Sequence, residues 1–80
     1  MHYVYQIESI SHAGERYIGS TADLKARLIK HNEGGSPHTA KYRPWKLVSY
    51  QAFESPEKAR AFEAYLKSGS GRAFAQRHIW

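Results

Sequence analysis

Hydrophobic and polar residues alternate in three segments of the chain, and each segment is predicted to be a β-strand. Residues 3–7 alternate and are rich in aromatic and β-branched side chains. A polar connection over residues 9–14 should return the chain into a second strand at 16–18, and Gly19 should end it. Residues 46–53 form the third predicted strand. The first two strands therefore make an antiparallel hairpin.

A first helix is predicted between the second and third strands. Ser20 supplies a hydroxyl at the helix start, and Asp23 follows three positions later, which is close to a capping box. Leu24 and Leu28 mark the buried side of a helix that runs to about Asn32, where two glycines stop it. A loop over residues 34–45 follows.

Two more helices are predicted after the third strand. Ser55 is the cap of the first of them and Pro56 takes its first helical position. Gly69 and Gly71 should end that helix, and residues 73–79 should form a short last one. The element order β-β-α-β-α-α predicts an α+β fold, with helices packed against a small antiparallel three-stranded sheet.

Length and composition limit what the chain can be. Eighty residues predict a single domain over residues 1–80. There is no cysteine, so neither a disulfide nor a thiolate metal site can add to the stability of the core. No segment has the ~20 apolar residues of a membrane span or the pattern of a signal peptide. A cytoplasmic protein without a membrane partner is the expectation.

Positive charge is concentrated in the middle of the sequence. The net charge is +5 with histidines neutral, and residues 20–46 hold six basic against two acidic side chains. Such a segment suits a polyanion such as nucleic acid, although basic residues also serve solubility alone. The candidate nucleic-acid contacts are Lys25, Lys30, His38, Lys41 and Arg43, of which the last three lie in the predicted loop, where functional side chains concentrate.

Five residues could carry chemistry. Arg27 and His31 are one turn apart beside the apolar side of the first helix, where a guanidinium suits a phosphate, or the pair could simply be exposed. Glu63 has a similar position on the second helix and could bind Mg²⁺, or be an ordinary surface residue. Tyr5 and Tyr17 lie on adjacent strands, where phenols can handle protons or merely pack.

Taken together, these residues resemble the GIY-YIG nuclease family. The resemblance rests on Tyr3-Val4-Tyr5, then Tyr17-Ile18-Gly19 about ten residues later, then the helix with Arg27 and His31, and Glu63 on a later helix. The stretch over residues 38–48 is similar to the short single-domain bacterial members. Four separated motifs agree in order and spacing, and they cover nearly the whole chain.

The resemblance implies hydrolysis of phosphodiester bonds with one metal ion, Mg²⁺ or Mn²⁺. Glu63 would be the metal ligand, and Arg27 would hold the scissile phosphate. Tyr5 or Tyr17, with Tyr5 the better candidate, would orient or deprotonate the attacking water, while His31 would assist proton transfer or bind phosphate. Gly19, by the same resemblance, would let the backbone turn closely before the helix.

Two departures from the family pattern bear on activity. Position 3 is Tyr where the first motif has Gly, and the Asn that often follows the metal ligand is missing. Asn32 lies in another element, and Gln76 is the only amide after Glu63.

The expected function is therefore a metal-dependent DNA endonuclease of low sequence specificity. RNA is the alternative substrate, and a partner protein could direct the enzyme to its target. The alternatives are a nucleic-acid-binding module on the same fold that does not catalyse, and an interaction protein.

Overall fold

The sheet is antiparallel throughout, and its central strand is the first one in the chain. The computed structural model describes residues 1–80 and has the strand order β2-β1-β3. The elements are β1 (His2–Ser9), β2 (Arg16–Thr21), α1 (Leu24–Asn32), β3 (Trp45–Phe53), α2 (Pro56–Leu66) and α3 (Gly69–His78), with a 3-10 turn at Ala40–Tyr42. This confirms the predicted α+β fold and its element order. None of the helices has the length and apolar character needed to cross a membrane.

Helices cover both faces of the sheet, because neighbouring residues of β1 point to opposite sides. On one face Tyr5 and Ile7 pack with Trp45 and with Leu24 and Leu28 of α1. On the other face Val4 packs with residues of α2 and α3, namely Ala59, Leu66 and Ala75. The helix α1 therefore lies on the opposite side of the sheet from α2 and α3.

The hairpin and the start of α1 differ from their predicted limits. Strand β2 continues past Gly19 to Thr21, so the glycine lies within the strand and pairs with Tyr5. The cap of α1 is Asp23, whose Oδ1 accepts a hydrogen bond from the backbone N–H of Ala26 at 3.0 Å. Pairing with β1 keeps residues 20 and 21 extended, so the hydroxyl expected to cap the helix belongs to the sheet instead.

The junction between α2 and α3 was also predicted incorrectly. Gly69 and Gly71 were expected to break the helix, but both lie in the first turn of α3, which Ser68 caps. A side chain on Gly71 would overlap the carbonyl oxygen of Tyr65 and approach the Cα of Leu66 to 2.7 Å. Gly71 is therefore needed for the close contact of the two helices.

Replacing each glycine by alanine should separate these roles. We expect Gly71→Ala to destabilise the fold by roughly 2–3 kcal/mol, because α2 and α3 must move apart. The control is Gly69→Ala, where no atom lies within 4 Å of the added Cβ. That change should leave stability unchanged or raise it by up to about 1 kcal/mol. Urea unfolding measures both, and equal midpoints for the two variants would contradict the packing described.

Candidate active site beside strand β2

The ring of Tyr5 is fully buried against the backbone of β2. Its register partner is Gly19. A Cβ on that glycine would lie 2.5 Å from the Tyr5 hydroxyl oxygen and 3.0 Å from Cε2 of Tyr17. Gly19 does not have a positive φ. The glycine is thus required by the close approach of a phenol, and not by a turn before the helix as the resemblance implied.

A chain of hydrogen bonds extends from this phenol into the interior. The Tyr5 hydroxyl lies 2.8 Å from Nε2 of His31, and Nδ1 of His31 lies 2.6 Å from Oγ1 of Thr39. All three side chains are buried. Because the Thr39 hydroxyl donates to the Ser36 carbonyl, its oxygen accepts from Nδ1. Nε2 then carries a lone pair, which accepts the phenolic proton of Tyr5.

Tyr17 covers the buried pair from the solvent side. Its ring centroid lies 6.3 Å from that of Tyr5 and 5.3 Å from that of His31. Unlike those two residues, Tyr17 is partly exposed. Burial, followed by the neighbouring Tyr17, raises the pKa of Tyr5 to about 12, although the charge of Arg27 opposes the rise. The Tyr5 phenol therefore keeps its proton at neutral pH.

Glu63 approaches the site from α2. Burial alone would raise the pKa of its carboxyl, but hydrogen bonding from Lys67 and Ser20 and the charges of Lys67 and His2 hold it below the ordinary value. The Lys67 Nζ donates to Oε2 of Glu63 at 2.8 Å, one helical turn away. Glu63 is thus an ionised, partly exposed carboxylate at the edge of β2.

Of the five predicted catalytic side chains, His31 and Tyr17 contact the Tyr5 phenol directly. His31 bonds to it, Tyr17 packs against it, and the opposite charges of Arg27 and Glu63 lower and raise its pKa respectively. Arg27 belongs to α1 and Glu63 to α2, which lie on opposite faces of the sheet. The Tyr5 phenol therefore lies within the electrostatic influence of a cation from one face of the sheet and of a carboxylate from the other.

The donor set around Glu63 fits one hard divalent cation. No group of three or more His, Cys, Asp or Glu side chains could hold a metal ion. Mg²⁺, however, keeps several waters and often takes only one or two carboxylates. Glu63 has the Ser20 hydroxyl beside it and solvent on its open side. A cation bound at Oε2 of Glu63 would displace the ammonium group of Lys67.

The predicted nucleic-acid contacts are all exposed, and none of them forms an ion pair with a carboxylate. Lys30 and Arg43 pack over Gly35 and Gly34 respectively, at the end of α1. Lys41 lies 5.4 Å from the ring of Tyr42, and His38 belongs to the same loop. Lys25 lies at the other end of α1, in a cleft with Tyr3 and Tyr50.

Sequence reasoning missed three residues of the site. Thr39 orients His31, and nothing in a loop sequence indicates a contact with a helix. Ser20 was assigned to the helix cap, yet its hydroxyl lies beside Glu63. Lys67 follows Glu63 at the helical spacing that pairs side chains, so this contact could have been predicted. Asn32 has a structural role, since its side chain holds the backbone of Trp45.

Comparison with known proteins agrees with this fold. The GIY-YIG catalytic domain model matches residues 1–76, and the chain therefore belongs to the GIY-YIG family, a family of nucleases. It is 42% identical over 66 residues to a UPF0213 protein of Streptococcus pneumoniae serotype 4, covering 81% of this chain and 65% of that one. A UPF0213 protein of Streptococcus pyogenes serotype M3 is 38% identical over 72 residues, covering 89% and 76%. UPF0213 proteins are a single-domain GIY-YIG group.

A solved structure extends the comparison. The solution NMR structure of a UPF0213 protein from Bacillus halodurans aligns with a TM-score of 0.56 and 38% identity. The alignment covers 94% of this chain and 79% of that protein. This chain thus spans about two thirds to four fifths of the relatives' lengths.

Stability should depend on pH through His31. Burial, then the charges of Arg27 and Lys30, lower the pKa of His31 in the folded protein. Below pH ~6.5 the His31 imidazole therefore binds a proton in the unfolded chain but not in the folded protein. We expect the melting temperature to fall as the pH drops from ~6.5 to the folded pKa, and His31→Gln to flatten this dependence. The exposed His38→Gln is the control, and an unchanged slope in His31→Gln would contradict the assignment.

Proposed function

We propose that this protein hydrolyses phosphodiester bonds of DNA in the presence of one divalent cation. The observation that supports this most strongly is the hydrogen-bonded and packed cluster of Tyr5, Tyr17 and His31 in a chain that matches the GIY-YIG catalytic domain, with Arg27 and Glu63 near enough to affect the pKa of Tyr5. A phosphodiester at this point would have a guanidinium on one side and a carboxylate able to hold a cation on the other. That combination balances the charge of a phosphoryl transition state.

Arg27 is the phosphate-binding residue in this mechanism. Its guanidinium is partly exposed and forms no ion pair with a carboxylate, so the donors that do not bond to Tyr5 can bind oxygen atoms of a phosphate. The hydrogen bonds strengthen as negative charge develops on those oxygens in the transition state. His31 is too deeply buried to touch the phosphate, and it acts through Tyr5.

Tyr17 is the better candidate for contact with the attacking water. The expectation from the family resemblance favoured Tyr5, but that side chain is fully buried and its pKa of about 12 makes it a weak acid at neutral pH. Tyr17 is partly exposed directly above it. In our proposal Tyr17 orients the water, while Tyr5 and His31 support the ring of Tyr17 and position Arg27.

Glu63 would hold the cation, with Ser20 beside it. A bound Mg²⁺ or Mn²⁺ supplies positive charge to the leaving oxygen and orients the phosphate. The five exposed basic residues of α1 and the following loop would hold flanking phosphates, namely Lys25, Lys30, His38, Lys41 and Arg43. Such contacts carry little sequence information, so the proposed unit, residues 1–80, would show low sequence specificity and could depend on a partner protein for targeting.

One observation favours a second function. The Lys67 ammonium is hydrogen-bonded to the Glu63 carboxylate that would bind the cation. The chain also lacks the Asn that the resemblance led us to expect. A nucleic-acid-binding module without catalysis would retain the basic surface and this ion pair. Such a module would bind DNA with a steep salt dependence and leave it uncut with either cation.

Removing the carboxylate tests the proposed reaction. Glu63→Gln should reduce the cleavage rate of plasmid or branched DNA roughly 10²–10³-fold, because the ligand of the cation is lost. DNA affinity measured without metal should change little. Glu57→Gln, an exposed acid on the same helix, should cut like the wild type. Equal rates in Glu63→Gln and Glu57→Gln would exclude Glu63 as the metal ligand.

The two phenols should behave differently when replaced. Tyr17→Phe should lower kcat by about 10²-fold with little change in KM, because the hydroxyl that orients the water is lost. Tyr5→Phe should lower kcat by about 10-fold and also reduce thermal stability, since it leaves the buried His31 without a partner. A larger loss of kcat in Tyr5→Phe than in Tyr17→Phe would instead assign the contact with the attacking water to Tyr5. Single-turnover cleavage kinetics and thermal unfolding separate these outcomes.

A further inference from the structure

A second cleft opens beside the candidate active site, between β2, α2 and α3. Its volume is about 480 Å³, within the range of small-ligand sites. One wall is apolar and includes Ile18, Ala75 and the indole of Trp80. Leu66 also lines it, the remaining side chains are polar or basic, and no side-chain carboxylate is among them. The cleft thus offers an apolar surface beside positive charge.

Three basic side chains line this cleft. Arg16 is held by Glu8 at 3.3 Å, and its guanidinium lies 4.9 Å from the ring centroid of Trp80. Lys67 bonds to Glu63. Arg72, by contrast, makes no ion pair with a carboxylate and no side-chain hydrogen bond, and it is exposed on α3. Arg72 is therefore free to bind an anion.

The cleft is continuous with the candidate active site through two residues. Tyr17 lines the cleft and also packs on Tyr5 and His31. Lys67 lines the cleft and is bonded to Glu63. Tyr17 and Lys67 therefore place the cleft next to the part of the candidate active site that includes Glu63. A cation at Glu63 would also release Lys67 toward the same space.

We propose that this cleft binds one unpaired nucleotide of the substrate, next to the bond that is cut, an inference that rests on the proposed function. Arg72 and the released Lys67 bind its phosphate, and its sugar and base lie against Ile18, Ala75 and Trp80. Aromatic and apolar surfaces of this kind accept any base. A base within a duplex would first have to leave its stack, which costs free energy. The preferred substrate is therefore DNA with a single-stranded flank.

NMR can test occupancy without any cleavage. The chain has two indoles, and that of Trp45 is buried with its Nε1 bonded to the Thr39 carbonyl, so it serves as an internal control. Titration with a deoxynucleoside 5′-monophosphate, without metal ion, should shift the Trp80 indole resonance saturably and leave that of Trp45 in place. Inorganic phosphate should bind roughly 10-fold more weakly because it lacks the base. Equal effects of the two probes, or an unmoved Trp80 resonance, would overturn the proposal.

Three variants separate a specific cleft from general charge attraction. Arg72→Gln removes the free cation, and Gln76→Phe fills the cleft without changing any charge. Each should weaken the binding of a single-stranded oligonucleotide about 10-fold. Each should weaken the binding of a blunt-ended DNA duplex by less than 2-fold. Arg77→Gln is the matched control, an exposed arginine of α3 outside the cleft, and should change both affinities by less than 2-fold. Equal losses in Arg72→Gln and Arg77→Gln would contradict the proposal.

These measurements distinguish failure of the cleft from failure of the proposed nuclease. If the protein cleaves DNA but the Trp80 resonance does not move, the nuclease proposal holds and the nucleotide site is refuted. If the Trp80 resonance shifts but the protein does not cut DNA, the nucleotide site is supported and the protein is a binding module without nuclease activity.

Discussion

The phenol of Tyr5 is buried against the backbone of Gly19, and both the fold and the candidate site depend on this contact. Tyr5 fills the centre of the core between the sheet and α1, and it also ends the hydrogen-bond chain through His31 and Thr39. A buried polar atom without a partner would cost about 1–3 kcal/mol. In this protein every buried side-chain nitrogen and oxygen atom has a hydrogen-bond partner. Core packing and the hydrogen bond to His31 therefore both hold the ring of Tyr5 in place.

In the proposed mechanism, this contact brings one phenol under the influence of groups from both sides of the sheet. A side chain at position 19 would displace the phenol from the backbone of β2. The glycine lets the phenol approach the backbone of β2, so that Arg27 and Glu63 both influence it. A single carboxylate with a single guanidinium is a sparse site, and the hydration shell of a hard cation would complete it.

The ion pair between Glu63 and Lys67 gives the site a second state. The ammonium neutralises the carboxylate and helps to hold its pKa below the ordinary value. A divalent cation at the same oxygen would free Lys67, which then faces the cleft lined by Arg72 and Trp80. Binding of the cation and binding of a nucleotide would thus support each other, since the released charge attracts phosphate.

Much of the fold could be predicted from local pattern, whereas contacts between distant segments could not. Alternation and turn residues gave the hairpin, and caps such as Ser55 gave the helix starts. The start of α1 was wrong because pairing with β1 keeps residues 20 and 21 in the sheet. Gly71 looked like a helix breaker because the nearby carbonyl of Tyr65 cannot be seen in sequence.

The candidate site divides in the same way. Helical spacing and the family resemblance predicted Arg27, His31 and Glu63 as site residues, but the burial of His31 and its bond to Thr39 depend on how the loop folds over α1.

The most direct test of the account is where a divalent cation binds. Mn²⁺ titrated into the ¹⁵N-labelled protein broadens the NMR signals of nearby nuclei. We expect the amides of Gly19 and Ser20 and the side-chain Nε signal of Arg27 to broaden first, and Glu63→Gln to abolish the effect. Broadening confined to the exposed acids near the start of α2, or unchanged by Glu63→Gln, would contradict a shared site for Arg27 and Glu63.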